Sequence, residues 1–142
     1  MKAHNKLLSL LLLQSLLCLT IAGAFAGQKE VIIPVKEGMA WWSGISNHGE
    51  LLPMRNGYHA NLGSNYGNQV QPLLLSNMGH VIWSEQPFEI TMKNDTLTVI
   101  SPTPSLIYTK SGTTLKEGFK YASENYFPPA GKLPDELLFS AP

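Results

Sequence analysis

Pro72-Leu73-Leu74-Leu75-Ser76-Asn77-Met78-Gly79-His80-Val81-Ile82-Trp83-Ser84-Glu85-Gln86-Pro87-Phe88 is the stretch that decides the fold. Two apolar runs, Leu73–Leu75 and Val81–Trp83, flank the polar break Ser76-Asn77-Met78-Gly79. Short apolar runs on either side of an Asn/Gly break read as a β-hairpin with a loop of about three to five residues. Gly79 supplies the positive φ that such loops often require. The runs do not alternate strictly with polar residues, so both faces of these strands are expected to be covered. The hairpin is therefore placed at the centre of the fold.

Toward the N-terminus, Glu30–Lys36 contains Val31-Ile32-Ile33-Pro34-Val35. Its β-branched content predicts a strand, and Pro34 confines that strand to an edge. Met39–Ile45 is a second strand candidate, with Trp41-Trp42 at its centre. From Ser43 to Gln71 the composition turns to Gly, Asn, Ser and Tyr, which reads as a long loop-rich region with short pairings near Leu51-Leu52. Toward the C-terminus, Phe88, Ile90 and Met92 alternate with Glu89 and Thr91. Lys93-Asn94-Asp95-Thr96 is a tight-turn signal, after which Leu97 and Val99 resume the alternation. Pro102 and Pro104 interrupt it, and Leu106–Thr109 gives one more short strand. Short strands and turns at this spacing predict a mainly β fold, an antiparallel β-sandwich.

One helix follows the strands. Thr114-Leu115-Lys116-Glu117 is a capping box, in which the hydroxyl and the carboxylate each satisfy an otherwise unpaired backbone N–H. Leu115, Phe119, Ala122 and Tyr126 recur as one apolar stripe. Gly118 weakens the helix by up to about 1 kcal/mol relative to Ala. Pro128-Pro129 ends it.

The chain has 142 residues, room for one ordinary domain. Lys2 and Lys6 precede the apolar run Leu7–Ile21, and Ala24-Phe25-Ala26 fits a small-x-small cleavage site. A run of about fifteen residues is short of the roughly 20 that a membrane span needs. Residues 1–26 therefore read as a signal peptide, and the mature protein is expected in the periplasm or outside the cell. Cys18 lies within that leader, and Leu17 before it does not suit lipoprotein processing. Without the leader the chain has no cysteine, which excludes a disulfide scaffold and a thiolate metal site. It keeps all ten acidic residues but eight of the ten basic ones, a net charge near −2. With no basic stripe, neither nucleic acid nor an anionic membrane is expected as a partner.

The central stretch also resembles the N-terminal domain of secreted bacterial glycoside hydrolase family 31 enzymes, the α-glucosidases, α-xylosidases and relatives. The residues that carry the resemblance are Pro72-Leu73-Leu74-Leu75-Ser76, Gly79, Trp83-Ser84 and Pro87-Phe88. Family members usually have basic residues around the turn glycine, where this chain has Met78 and His80. The resemblance runs from about Met39 to the last residue. It implies a galactose-mutarotase-like sandwich over residues 27–126. It also implies that residues 127–142, with Phe127-Pro128-Pro129 and Pro134-Asp135, form a linker toward a catalytic (β/α)8 barrel outside these residues. In the family both catalytic carboxylates are barrel aspartates, and no segment here matches either motif. The chain by itself is thus expected to be inactive, a part of an enzyme that hydrolyses α-linked glycosides, with a carbohydrate and the barrel as its partners.

The residues themselves agree with that absence of catalysis. A retaining glycosidase needs two carboxyl groups roughly 5–5.5 Å apart, an inverting one roughly 6.5–9.5 Å. Glu85 and Glu89 on one strand would be about 13 Å apart, and Glu117 and Glu124 about 10.5 Å apart along a helix. Asp95 sits in a turn signal and Asp135 in the tail. His48, His59 and His80 show no metal-ligand spacing, so they read as surface or loop histidines, and no metal or cofactor is expected. The Asn94-Asp95-Thr96 sequon reads as a plain hairpin turn.

Binding residues are sought elsewhere. Neighbouring strand residues point to opposite faces, so if one of Trp41 and Trp42 is buried the other is free to stack on a sugar or to meet a partner; the plainer expectation is that both are core or domain-interface residues. The family shows an aromatic pair and a Gly-rich turn here, matched by Trp41-Trp42-Ser43-Gly44. The segment Arg55–Gln69 holds Tyr58, Asn61, Asn65, Tyr66 and Asn68, flat rings and amides that suit a carbohydrate. The resemblance implies that a loop of this domain reaches over the barrel mouth, which singles out Tyr66 and Asn68 as the residues nearest substrate. Two other readings stand beside this one: a free-standing secreted carbohydrate-binding module, and an inactive truncated remnant with an exposed apolar patch.

Overall fold

The computed structural model of the protein describes residues 27–45, 49–67, 69–128 and 131, with the backbone alone for 65–67. The strands are β1 (Lys29–Pro34), β2 (Trp41–Ile45), β3 (His59–Asn61), β4 (Val70–Ser76), β5 (His80–Trp83), β6 (Glu89–Lys93), β7 (Thr96–Ser101) and β8 (Ile107–Lys110). One α-helix, α1 (Leu115–Tyr126), follows them. Two antiparallel four-stranded sheets form, in the orders β1-β7-β6-β3 and β2-β4-β5-β8. They face each other across one core that includes Ile33, Trp41, Leu74, Ile82, Phe88, Ile90, Leu97 and Val99. This is the expected antiparallel sandwich with a C-terminal helix.

The β4–β5 hairpin is central for the reason its composition gives. Leu74 and Ile82 are opposite one another and point into the sandwich. Leu73, Leu75, Val81 and Trp83 point the other way and meet α1. Both faces of this hairpin are therefore covered, which is why its strands read as continuous apolar runs. Gly79 has φ +76°, and Ser76 Oγ accepts from the backbone N–H groups of Met78 and His80 to close the turn. At the β6–β7 turn Asn94 and Asp95 have φ of 50° and 53°, a two-residue turn with both central residues left-handed.

Pro34 ends β1, an edge strand, as a residue without an N–H requires. Pro72 lies inside β4, where a second proline would ordinarily be excluded. The register explains it: Ser43 pairs with Leu74 but Gly44 pairs with Gln71, so Pro72 and Leu73 fall in a bulge. Gly44 is needed there, because a Cβ on it would lie 2.5 Å from the Gln71 carbonyl oxygen.

Two expectations shift. The Ser43–Gln71 region is not all loop: β3 lies at His59–Asn61 and pairs with β6, while Gly49–Leu51 and Leu62–Gly67 are 3-10 turns and Leu51-Leu52 pairs with no strand. The helix stripe is also rotated. Gly118 and Ala122 are its buried residues, with Tyr121 and Tyr126 packed beside them, whereas Leu115 and Phe119 are 37% and 53% exposed. Gly118 has no side chain to hold the helix off the sheet, so this face approaches closest. The capping box forms as expected: Thr114 Oγ1 accepts from the Glu117 N–H, and Glu117 Oε2 accepts from the Thr114 and Thr113 N–H groups.

Candidate functional site

Strand alternation splits the tryptophan pair. Trp41 is opposite Ser76, on the inner face, and is wholly buried. Its Nε1–H has no acceptor among the described residues. A ring in that position offers no open face to a sugar. Trp42 is opposite Leu75, on the helix side, and is half-buried. Tyr66 belongs to the 3-10 turn Leu62–Gly67, and its side chain lies outside the described residues, as does Asn68.

The base of the candidate loop is firmly held. The Tyr58 hydroxyl is 3.1 Å from Ser43 Oγ, joining the loop to β2. Asn56 and Asp95 exchange two hydrogen bonds of 2.9 Å, fastening the loop to the β6–β7 turn. Leu62 is buried, and its N–H donates to the Phe88 carbonyl. A cleft lies at each end of the Arg55–Gln69 segment. One of about 570 Å³ is lined by Leu51, Pro53, Arg55 and His59. Another of about 630 Å³ is lined by Ser43, Ile45, Gln69 and Gln71. The first is a half-open cleft of ligand-site size, and the second is a shallow, open depression.

Four of the described acids have structural partners. Glu117 caps the helix, Asp95 is bound to Asn56, Glu124 lies 3.8 Å from Lys120, and Glu89 lies 3.8 Å from His59. Hydrogen bonds from the Thr113 backbone and hydroxyl, and from Thr114, hold the Glu117 carboxyl below the usual carboxylate range. No group of three or more His, Cys, Asp or Glu side chains comes together among the described residues. His48 lies outside them.

Two features were not singled out from the sequence. The first is an aromatic strip on the helix side. Trp83 stacks on Tyr126 at 5.1 Å and meets Phe127, which in turn meets Phe119. Ile107 is opposite Trp83 on the same face and is 43% exposed. The strip thus runs Ile107–Trp83–Tyr126–Phe127–Phe119, with both ends open to solvent and the middle three rings half-buried. The second is a polar cluster at the rim of the inner face. His80 Nδ1 is 2.7 Å from the Tyr108 hydroxyl, the two rings are parallel within 5°, and Trp41 lies behind His80 at 6.0 Å. Burial of the ring, then the charges of Lys110 and Lys36, hold His80 below the ordinary histidine range. Sequence spacing gave no sign of this pair, because 28 residues separate its members.

No protein-family model and no curated protein matches the chain.

Proposed function

We propose that the chain is the N-terminal accessory sandwich of a secreted α-glycosidase of the family 31 type. In this reading it packs on a catalytic barrel and helps to shape the sugar pocket. The observation that carries it is the strip from Ile107 to Phe119, exposed at both ends, which passes through Phe127, where the chain leaves α1. An apolar strip of this kind marks a surface meant to be covered. The motif residues support it too, since each has work in the fold: Ser76 and Gly79 close the central turn, Trp83 seats the helix, and Phe88 fills the core. Ser84 accepts from the Gln86 N–H and bonds Ser105 at 2.8 Å. Tyr66 and Asn68 are proposed to lie nearest the sugar, with Trp42 as a further contact.

A second reading is a free-standing carbohydrate-binding module. The half-buried Trp42 and the cleft beside Leu51, Pro53 and Arg55 favour it. Calorimetric titration of the full chain with α-glucosides and α-xylosides separates the two. The accessory reading predicts no binding of these neutral glycosides without the barrel, whereas their saturable binding by the chain alone selects the module.

A further inference from the structure

We propose that His80, Tyr108, Lys110 and Lys36 form a binding site for an acidic saccharide, a sugar ring bearing a carboxylate. The saccharide part rests on the carbohydrate reading above; the oxyanion part does not depend on it.

Lys110 is the direct cross-strand partner of His80, so the two side chains share the inner face of β5 and β8. Tyr108 is opposite Ile82, which places it on that same face, one step along β8. Lys36 comes from the other sheet's side, in the loop between β1 and β2. Asn77 fixes that loop over the β4–β5 turn: its side chain accepts from the Ala40 N–H at 2.8 Å and donates to the Gly38 carbonyl at 2.8 Å. Both ammonium charges are felt at His80. Neither ammonium has an ion pair or hydrogen bond among the described residues. Among the described residues the site therefore holds two cations without an ion-pair partner whose charges act on one imidazole.

The hydrogen-bond roles follow from the pairing. With the Tyr108 hydroxyl donating to Nδ1, a neutral His80 carries its proton on Nε2, which has no partner among the described residues. Among the described residues Nε2–H and the two ammonium groups are donors without acceptors, and a carboxylate supplies acceptors. Tyr108 is 42% exposed at the sheet edge, and its ring is held in one orientation by His80. A fixed, half-open aromatic ring is a surface on which the apolar face of a sugar can lie.

The test is an NMR titration of the full chain, following the His80 ring resonances. Methyl glucuronide, methyl glucoside and acetate are the three probes. The site predicts that the glucuronide binds at least about tenfold tighter than the other two. Lys110→Gln and Tyr108→Ala should each remove most of that preference. Lys36→Gln and Tyr108→Phe, milder changes at the same site, keep the question open to test if Tyr108→Ala fails to fold. Equal binding of glucuronide and glucoside would overturn the oxyanion site, and equal binding of glucuronide and acetate would overturn the saccharide. α-Glycosidase activity in the barrel-bearing protein without glucuronide binding here would remove this inference alone.

Discussion

At Gly79 the backbone turns with φ +76°, and a Cβ would lie 2.3 Å from the Gly112 carbonyl carbon. The turn is pressed against the segment that leads into α1, with the Ser111 N–H donating to the Gly79 carbonyl at 2.9 Å. Gly79→Ala therefore meets both backbone strain and a collision with backbone. It should cost at least about 1–3 kcal/mol, read as a lower urea midpoint; an unchanged midpoint would contradict the geometry. The need for a left-handed residue was legible in the Ser-Asn-Met-Gly break. The collision was not, because Gly112 is remote in sequence. At His80 the sign of the pH effect is fixed by its lowered pKa. The unfolded chain takes up the proton at the ordinary histidine value and the folded chain only below it. In that window the unfolded state binds more protons, so stability falls as pH falls through it. Lys110→Gln should raise the His80 pKa toward the ordinary value in an NMR titration, and a downward shift would refute the assignment of Lys110.

Among the elements, α1 shows what local pattern can and cannot give. Its start was readable, since Thr114 and Glu117 satisfy each other's end of the chain. Thr114→Ala should destabilise the protein by about 1 kcal/mol in denaturant unfolding. Its orientation was not readable from the stripe of Leu115, Phe119, Ala122 and Tyr126. Apolar periodicity marks large side chains, but the sheet is met by the residue with none. A Cβ on Gly118 would lie 3.5 Å from Val81 Cγ2 and 3.7 Å from Leu75 Cδ2, ordinary contact distances. Gly118→Ala should thus be accommodated and raise stability by up to about 1 kcal/mol, whereas Gly118→Leu should lower it by displacing the helix. Loss of stability in the alanine variant would show the fit to be tighter than this. The strand β3 was hidden for a different reason. Three residues with one buried side chain, Ala60, leave no period to detect.

For the whole molecule, the two sheets and the covered hairpin account for the core, and the strip from Ile107 to Phe119 accounts for the part left open. The sandwich class was legible in strand spacing. The strip was not, because it joins β5, β8 and the end of α1, which only the fold brings together. Exposed as it is, it should make the isolated chain self-associate at high concentration in sedimentation experiments, and Phe119→Ser should reduce that with little change in stability. The most direct measurement is hydrolysis of aryl α-glucosides and α-xylosides by this chain alone and by the complete product of the gene that encodes it, with and without residues 27–128. The accessory reading predicts no turnover by the chain alone, turnover by a barrel-bearing product, and loss of that turnover when residues 27–128 are deleted. Cleavage by the chain unaided, or a gene product with no barrel, would contradict it.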